Sequence, residues 1–254
     1  MKIKILDKQK NRIKMIVSGV NNSFMNTLRR FAYGEVPTMA VDVVRFQENT
    51  SGMYDEVIAH RIGLIPLTYD DKVYSYGDKK KVTLVLEKEG PCIVKSGDMK
   101  STDDSVVPVY DNIPIITLLD HQKLKFEADA KIGKGKEHAK WQASILGYKN
   151  TPLIKINKQK CTDCKKCIDV CPKNIFAMKN GKIEIENSIN CDLCNRCVEV
   201  CQDGAISVSY DKNSFYVDIE SVSGLSAEKV LKKALEEMKN HVNILSKDIS
   251  KALK

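Results

Sequence analysis

Eight of the nine cysteines lie between Cys161 and Cys201, and their spacing is that of ligands to iron. Cys161, Cys164, Cys167 and Cys171 form a CxxCxxCxxxC run, which Cys191, Cys194, Cys197 and Cys201 repeat 30 residues later. Three thiolates in one tight loop can hold three irons of a four-iron, four-sulfur cubane. The fourth, expected at the start of a following helix, cannot easily turn back to the same cluster, and in the two-cluster arrangement it ligates the other one. The predicted sets are therefore Cys161, Cys164, Cys167 and Cys201 for cluster 1, and Cys191, Cys194, Cys197 and Cys171 for cluster 2, giving two [4Fe-4S] clusters. Exchanging the fourth ligand ties the halves together, so cluster binding is expected to fold the module as well. The first run ends in Cys171-Pro172, whereas Gln202 stands at the matching place in the second, a change in the turn that removes no ligand.

Two other uses of these cysteines fit less well. A disulfide framework suits small secreted domains, but the N-terminus MKIKILDKQK has neither an apolar core segment nor a cleavage site, and the cytoplasm expected for this chain is reducing. Structural zinc favours CxxC pairs set far apart and has little use for a third cysteine at the same spacing. Cys92, beside Pro91, reads as a small apolar residue.

The rest of the chain must position this insert. With 43% hydrophobic and 29% charged residues it reads as globular, and no apolar run approaches the roughly 18 to 20 residues that span a bilayer. The net charge of +8 comes from scattered lysines, among them Lys79 to Lys81. Lysines without interleaved aromatics are a solvated surface more often than a nucleic-acid site, so direct nucleic-acid binding is the lesser expectation here. The sequence contains no DxD run for catalytic magnesium, no GxxxxGK[ST] loop and no GxSxG elbow, so no catalytic site is expected.

Periodicity places strands at residues 3–6, 13–17 and 40–46, a helix capped by Asn22 or Ser23 and ended by Gly34, and a short helix over 55–62 stopped by Gly63. Phe24, Leu28 and Phe31 share a face of the first helix. Residues 69–136 alternate strands such as 82–86 with Gly, Asp and Pro breaks. After the cysteines come a strand at 215–219 and a long helix capped by Ser226, with Glu228 in its first turn. Leu231, Leu235, Met238, Val242, Leu245, Ile249 and Leu253 recur on that helix at spacings of four and three. So narrow a seam suits packing against another helix, although the chain's own sheet would also accept it.

Several runs resemble the D subunit of archaeal RNA polymerase, a relative of the bacterial α subunit: NTLRR (26–30), GEVPTMAV (34–41), DEVIAHRIGLIPL (55–67), GKGKEHAKWQA (133–143) and the closing VSGLSAEKVLKKAL. The resemblance implies an α+β chain with a discontinuous dimerisation domain (1–45 and 207–254), a β-rich insert domain (46–156) and a ferredoxin-like domain (157–206). It implies a non-catalytic assembly role in a nucleotidyltransferase. The terminal helix would pair with subunit L, and the platform would bind small subunits N and P and the large catalytic subunits. Arg29 and Arg30 would meet a large subunit, unless one of them merely pairs with Glu35. His60 is expected to be packed and hydrogen-bonded rather than a base, the GLIPL run to be buried, and His138 and Trp141 to be core or interface anchors. The clusters would be structural or redox-sensing. The competing reading is a ferredoxin-type electron-transfer subunit of an oxidoreductase, against which stands the lack of any flavin or nicotinamide fingerprint.

Overall fold

The computed structural model describes residues 1–78 and 80–253; of the lysine run, Lys79 lies outside the described residues. The elements follow in order: β1 (Lys2–Lys8), β2 (Arg12–Ser18), α1 (Asn22–Gly34), β3 (Pro37–Asn49), α2 (Asp55–Gly63), β4 (Val82–Glu89), β5 (Cys92–Lys95), β6 (Lys100–Ser101), β7 (Pro114–Leu118) and β8 (Lys123–Lys134). The chain continues through β9 (Ser144–Ile156), α3 (Lys166–Asp169), β10 (Phe176–Lys179), β11 (Lys182–Ile185), α4 (Arg196–Glu199), β12 (Ile206–Ser221) and α5 (Ala227–Ala252). Two compact units result, one comprising 1–7, 14–25 and 147–218, the other 8–13, 26–146 and 219–254.

In the second unit β8 is the central strand, antiparallel to β3 from Pro37↔Lys134 to Asn49↔Leu124 and to β4 from Val82↔Ala130 to Glu89↔Lys123. Strand alternation sends Leu124, Phe126, Ala128 and Ala130 to one face, where they are fully buried with Leu84, Ile58, Ile62, Ile115 and Leu118. Each large apolar side chain so buried contributes about 1.5–3 kcal/mol. Trp141 closes another part of this unit: it is buried, donates from Nε1 to the Lys131 carbonyl at 3.2 Å, and its own carbonyl accepts from Thr38 at 2.8 Å. A Cβ on Gly133 would stand 2.3 Å from the indole, so glycine is required there for lack of room.

Several sequence expectations are corrected here. Asn21, not Asn22 or Ser23, caps α1, its side chain accepting from Phe24 N at 2.9 Å. His60 is exposed rather than packed, and within GLIPL Leu64 is half exposed at 50% while Ile65 and Leu67 are buried. Of the core-or-interface expectation for His138, the core part does not hold, since it is exposed; its Nδ1 accepts from Lys140 N at 3.1 Å, capping the turn that carries Trp141. The strand at 215–219 is the inner end of the longer β12.

α5 starts as the sequence implies, with the Ser226 hydroxyl accepting from Lys229 N at 3.3 Å. Ala227, Val230 and Ala234 form its buried stripe. One turn further on, Lys134 bridges Glu35 at 3.3 Å and Glu237 at 2.8 Å, and the Phe31 and His241 rings meet edge to face at 5.0 Å. Lys134 and Glu35 are only 13% and 15% exposed, so this pairing is far less screened than a surface ion pair.

Trp141→Ala should destabilise this unit by about 3–5 kcal/mol through the cavity and the lost hydrogen bond. A urea unfolding curve monitored by circular dichroism measures it, and an unchanged midpoint would remove Trp141 from the core account.

Candidate metal centres

The first unit builds its site by repeating one backbone path. Asp163, Lys165 and Asn174 have φ of 53°, 63° and 49°, and their counterparts 30 residues on, Leu193, Asn195 and Gly204, have 58°, 60° and 58°. Left-handed geometry costs a non-glycine residue roughly 1–2 kcal/mol, so something specific to these loops must hold it. What it achieves is to wind each CxxCxxC loop around its own interior and turn amide N–H groups inward. Leu193 N donates to Cys191 Sγ at 3.4 Å, Ile175 N to Cys171 Sγ at 3.5 Å and Ala205 N to Cys201 Sγ at 3.2 Å. The matching bonds at Cys171 and Cys201 show that the Pro172-to-Gln202 difference leaves the turn unchanged. Gln202 instead accepts from Lys166 Nζ at 3.2 Å.

Cys167 and Cys197 lie inside the short helices α3 and α4, and Cys171 and Cys201 lie just beyond the ends of these helices rather than at the start of a following helix. Each fourth cysteine lies toward the other half. Burial raises the Cys167 thiol, and the charges that add to this are those of Cys161, Cys164 and Cys201. Burial pushes Cys197 up to about 11, with Cys191, Cys171 and Cys194 adding to it. Two groups of four sulfurs result, each with three from one half and one from the other. A cavity of about 60 Å³ is lined by Cys171, Cys191, Cys194 and Cys197, together with Pro172 and Phe176.

Four cysteines gathered together, one exposed and the others partly or fully buried in each group, are a poor arrangement for ionised sulfur unless cationic metal stands between them, since thiolate is the ligating form. None of the nine cysteines forms a disulfide. Among the described residues no three cysteine sulfurs lie within 4.8 Å of one another, whereas a tetrahedral zinc with bonds of about 2.3 Å would hold its sulfurs about 3.8 Å apart. The donor sets thus suit a multi-iron cluster, in which each sulfur binds a different iron. The halves rest on an apolar patch of Ile175, Phe176, Ile183 and Ile206, joined by Ile154, Ile156 and Val208 from β9 and β12. Asn157 N donates to the Ala205 carbonyl at 2.8 Å, and Lys149 Nζ to the Cys191 carbonyl at 3.1 Å.

The second candidate feature is the apolar seam of α5. Leu231 and Met238 are half-buried, but Leu235, Val242, Leu245 and Ile249 are 45%, 65%, 60% and 50% exposed. The seam is displaced around the helix from the buried Ala227, Val230 and Ala234 stripe. Arg29 and Arg30 are exposed, and Arg29 holds Asn26 Oδ1 at 3.0 Å. Glu35 pairs with Lys134 and Lys136 instead of with either arginine. This ion network escaped the sequence reading, because its members are about a hundred residues apart and carry no local pattern. Cys92 is half-buried, packed beside the core of the second unit.

Comparison with known proteins gives these features a context. Residues 44–150 match the RNA polymerase Rpb3/RpoA insert domain and residues 160–206 a 4Fe-4S dicluster domain. An α-type insert domain and a ferredoxin-like domain on one α+β chain define an iron–sulfur subunit of a multisubunit RNA polymerase. The chain is 40% identical to DNA-directed RNA polymerase subunit Rpo3 of Archaeoglobus fulgidus, over 97% of both chains. It is 38% identical to that of Methanothermobacter thermautotrophicus, over 94% of this chain and 96% of the relative. Over 62% of each chain it is 49% identical to that of Pyrococcus furiosus. The chain belongs to the archaeal Rpo3 family, the D subunits of these polymerases, and its complex is a nucleotidyltransferase.

Because the fourth cysteine approaches the opposite half, single serine variants should act crosswise. Cys201→Ser should perturb the centre of Cys161, Cys164 and Cys167, and Cys171→Ser that of Cys191, Cys194 and Cys197. Electron paramagnetic resonance of reduced protein reads this out: each variant should lose one of two signals, and the two losses should differ. Loss of the same signal in both would contradict the crosswise arrangement.

Proposed function

We propose that this polymerase subunit is the assembly platform of its enzyme and that it pairs with subunit L through the exposed seam of α5. Leu231, Leu235, Met238, Val242, Leu245 and Ile249 form the interface with an equivalent helix. The observation that carries this reading is the far end of α5: every described residue from Lys239 onward is exposed, yet Val242, Leu245 and Ile249 continue the stripe. Contiguous apolar surface of this kind marks a protein interface, and a narrow seam over several turns suits a helix.

In the same reading the discontinuous domain of 1–45 and 207–254 dimerises, residues 46–156 form the β-rich insert and 157–206 the ferredoxin-like domain. Small subunits N and P and the large catalytic subunits join the D–L pair, with Arg29 and Arg30 on the exposed side of α1 meeting a large subunit. DNA is touched only indirectly, through the complex, and the work is done in the cytoplasm. Among the described residues no helix is long and apolar enough to cross a membrane.

Two [4Fe-4S] clusters occupy the two sulfur groups, with Cys161, Cys164, Cys167 and Cys201 on cluster 1 and Cys191, Cys194, Cys197 and Cys171 on cluster 2. When bound, each supplies the cationic centre that offsets four thiolates and a one-electron couple. The chain's own residues do the rest: the left-handed loop residues aim N–H groups at sulfur, and the apolar patch excludes water from one side. The role is structural or redox-sensing.

Co-expression with subunit L should give a stable one-to-one pair. Leu235→Asp and Leu245→Asp should each weaken it by tenfold or more, since burying a leucine is worth about 1.5–3 kcal/mol and about 1.4 kcal/mol is a factor of ten. Size-exclusion chromatography decides it; a pair that survives both substitutions would end the seam proposal.

A further inference from the structure

The two halves repeat so closely that their differences stand out, and one lies against a ligand sulfur. Asp163 and Leu193 occupy equivalent positions, 30 residues apart, both left-handed at φ 53° and 58° and both half-buried. Leu193 packs against the module's apolar patch. Asp163 instead places Oδ1 3.6 Å from Cys161 Sγ, and the same oxygen accepts from Ile183 N at 2.9 Å, which fixes the carboxylate in place. Burial and this neighbouring carboxylate outweigh the N–H from Asp163 that lowers the Cys161 thiol.

Other charges do not restore the balance. In the second half Asp192, next to Cys191, is met by Lys173 at 3.1 Å and Lys149 at 3.6 Å. Asp163 makes no ion pair among the described residues. Lys165 and Lys166 share its loop, but both are exposed, and Lys166 reaches Gln202. Solvated lysines are screened, whereas a carboxylate in contact with a ligand sulfur is not.

We propose that Asp163 sets the two centres apart, making the one held by Cys161, Cys164, Cys167 and Cys201 the harder to reduce. This rests on the two-cluster reading above. Reduction adds one electron to a centre already surrounded by four thiolates, so a fixed negative charge in contact with one sulfur opposes it, and hydrogen bonding and charge near sulfur are what tune such potentials. Asp163 is a positioning residue: it acts through Cys161 and ligates nothing. The fixed order makes the second centre the first to accept an electron from any one-electron donor.

The test is an anaerobic titration of the full-length chain with dithionite as one-electron donor, followed by electron paramagnetic resonance, with iron and sulfide counted on the same samples. Asp163→Asn keeps an oxygen acceptor for Ile183 N and removes the charge. It should raise the lower of two midpoints by about a tenfold change in the reduction equilibrium, about 59 mV for one electron, and leave the higher one in place. Leu193→Asp should lower the higher midpoint. Unmoved midpoints in Asp163→Asn at full iron content would overturn the role of Asp163 alone. Wild-type protein holding well under about eight irons per chain would instead overturn the two-cluster reading, and this inference with it.

Discussion

The arrangement of the first unit turns on cysteine sulfurs that the backbone brings together, where burial and neighbouring sulfurs make the thiolate form costly without metal. Cys197 faces Cys191, Cys194 and Cys171, and Cys167 faces Cys161, Cys164 and Cys201. The module has an apolar patch of its own, and its loops carry left-handed residues beside the cysteines. In the proposed reading, cationic metal at each group of four would offset the cost of holding four thiolates together. In that reading each group borrows a sulfur from the other half, so neither half would gain its full stabilisation alone.

The second unit is held in a conventional way, by an apolar face of β8 against β4, α2 and β7 and by the buried Trp141. It also fixes the base of α5. Ala227, Val230 and Ala234 fit closely, the Lys134 bridge between Glu35 and Glu237 orients the next turn, and His241 meets Phe31. Beyond that anchor the helix continues with an apolar stripe and no cover. Such a stripe is costly to leave in water, which is the physical reason to assign it a partner within the polymerase.

The sequence made some of this legible because the information is local. The 30-residue cysteine repeat, the Ser226 cap and the four-and-three spacing of the seam are patterns within one element, and each has a direct physical meaning. Other features depend on distant partners. β9 and the outer part of β12 mix Lys, Asn, Ser and Asp into strands of 13 and 16 residues, hiding the alternation. Asn21 outcompetes Asn22 as a cap because its side chain is placed to reach Phe24 N, a matter of one residue that composition does not resolve. His60 shares α2 with the buried Ile58 and Ile62 but occupies its exposed side. The Asp163–Leu193 difference was visible in the sequence, but its bearing on Cys161 needed the left-handed loop geometry.

Hydrogen exchange before and after anaerobic removal of iron tests most directly whether metal holds the cysteine module together. The account requires amides across residues 160–206 to lose protection on iron removal while those of β3, β4 and β8 keep theirs. A module that stays as protected without iron as with it would show that its fold does not depend on the cross-joined sulfur groups.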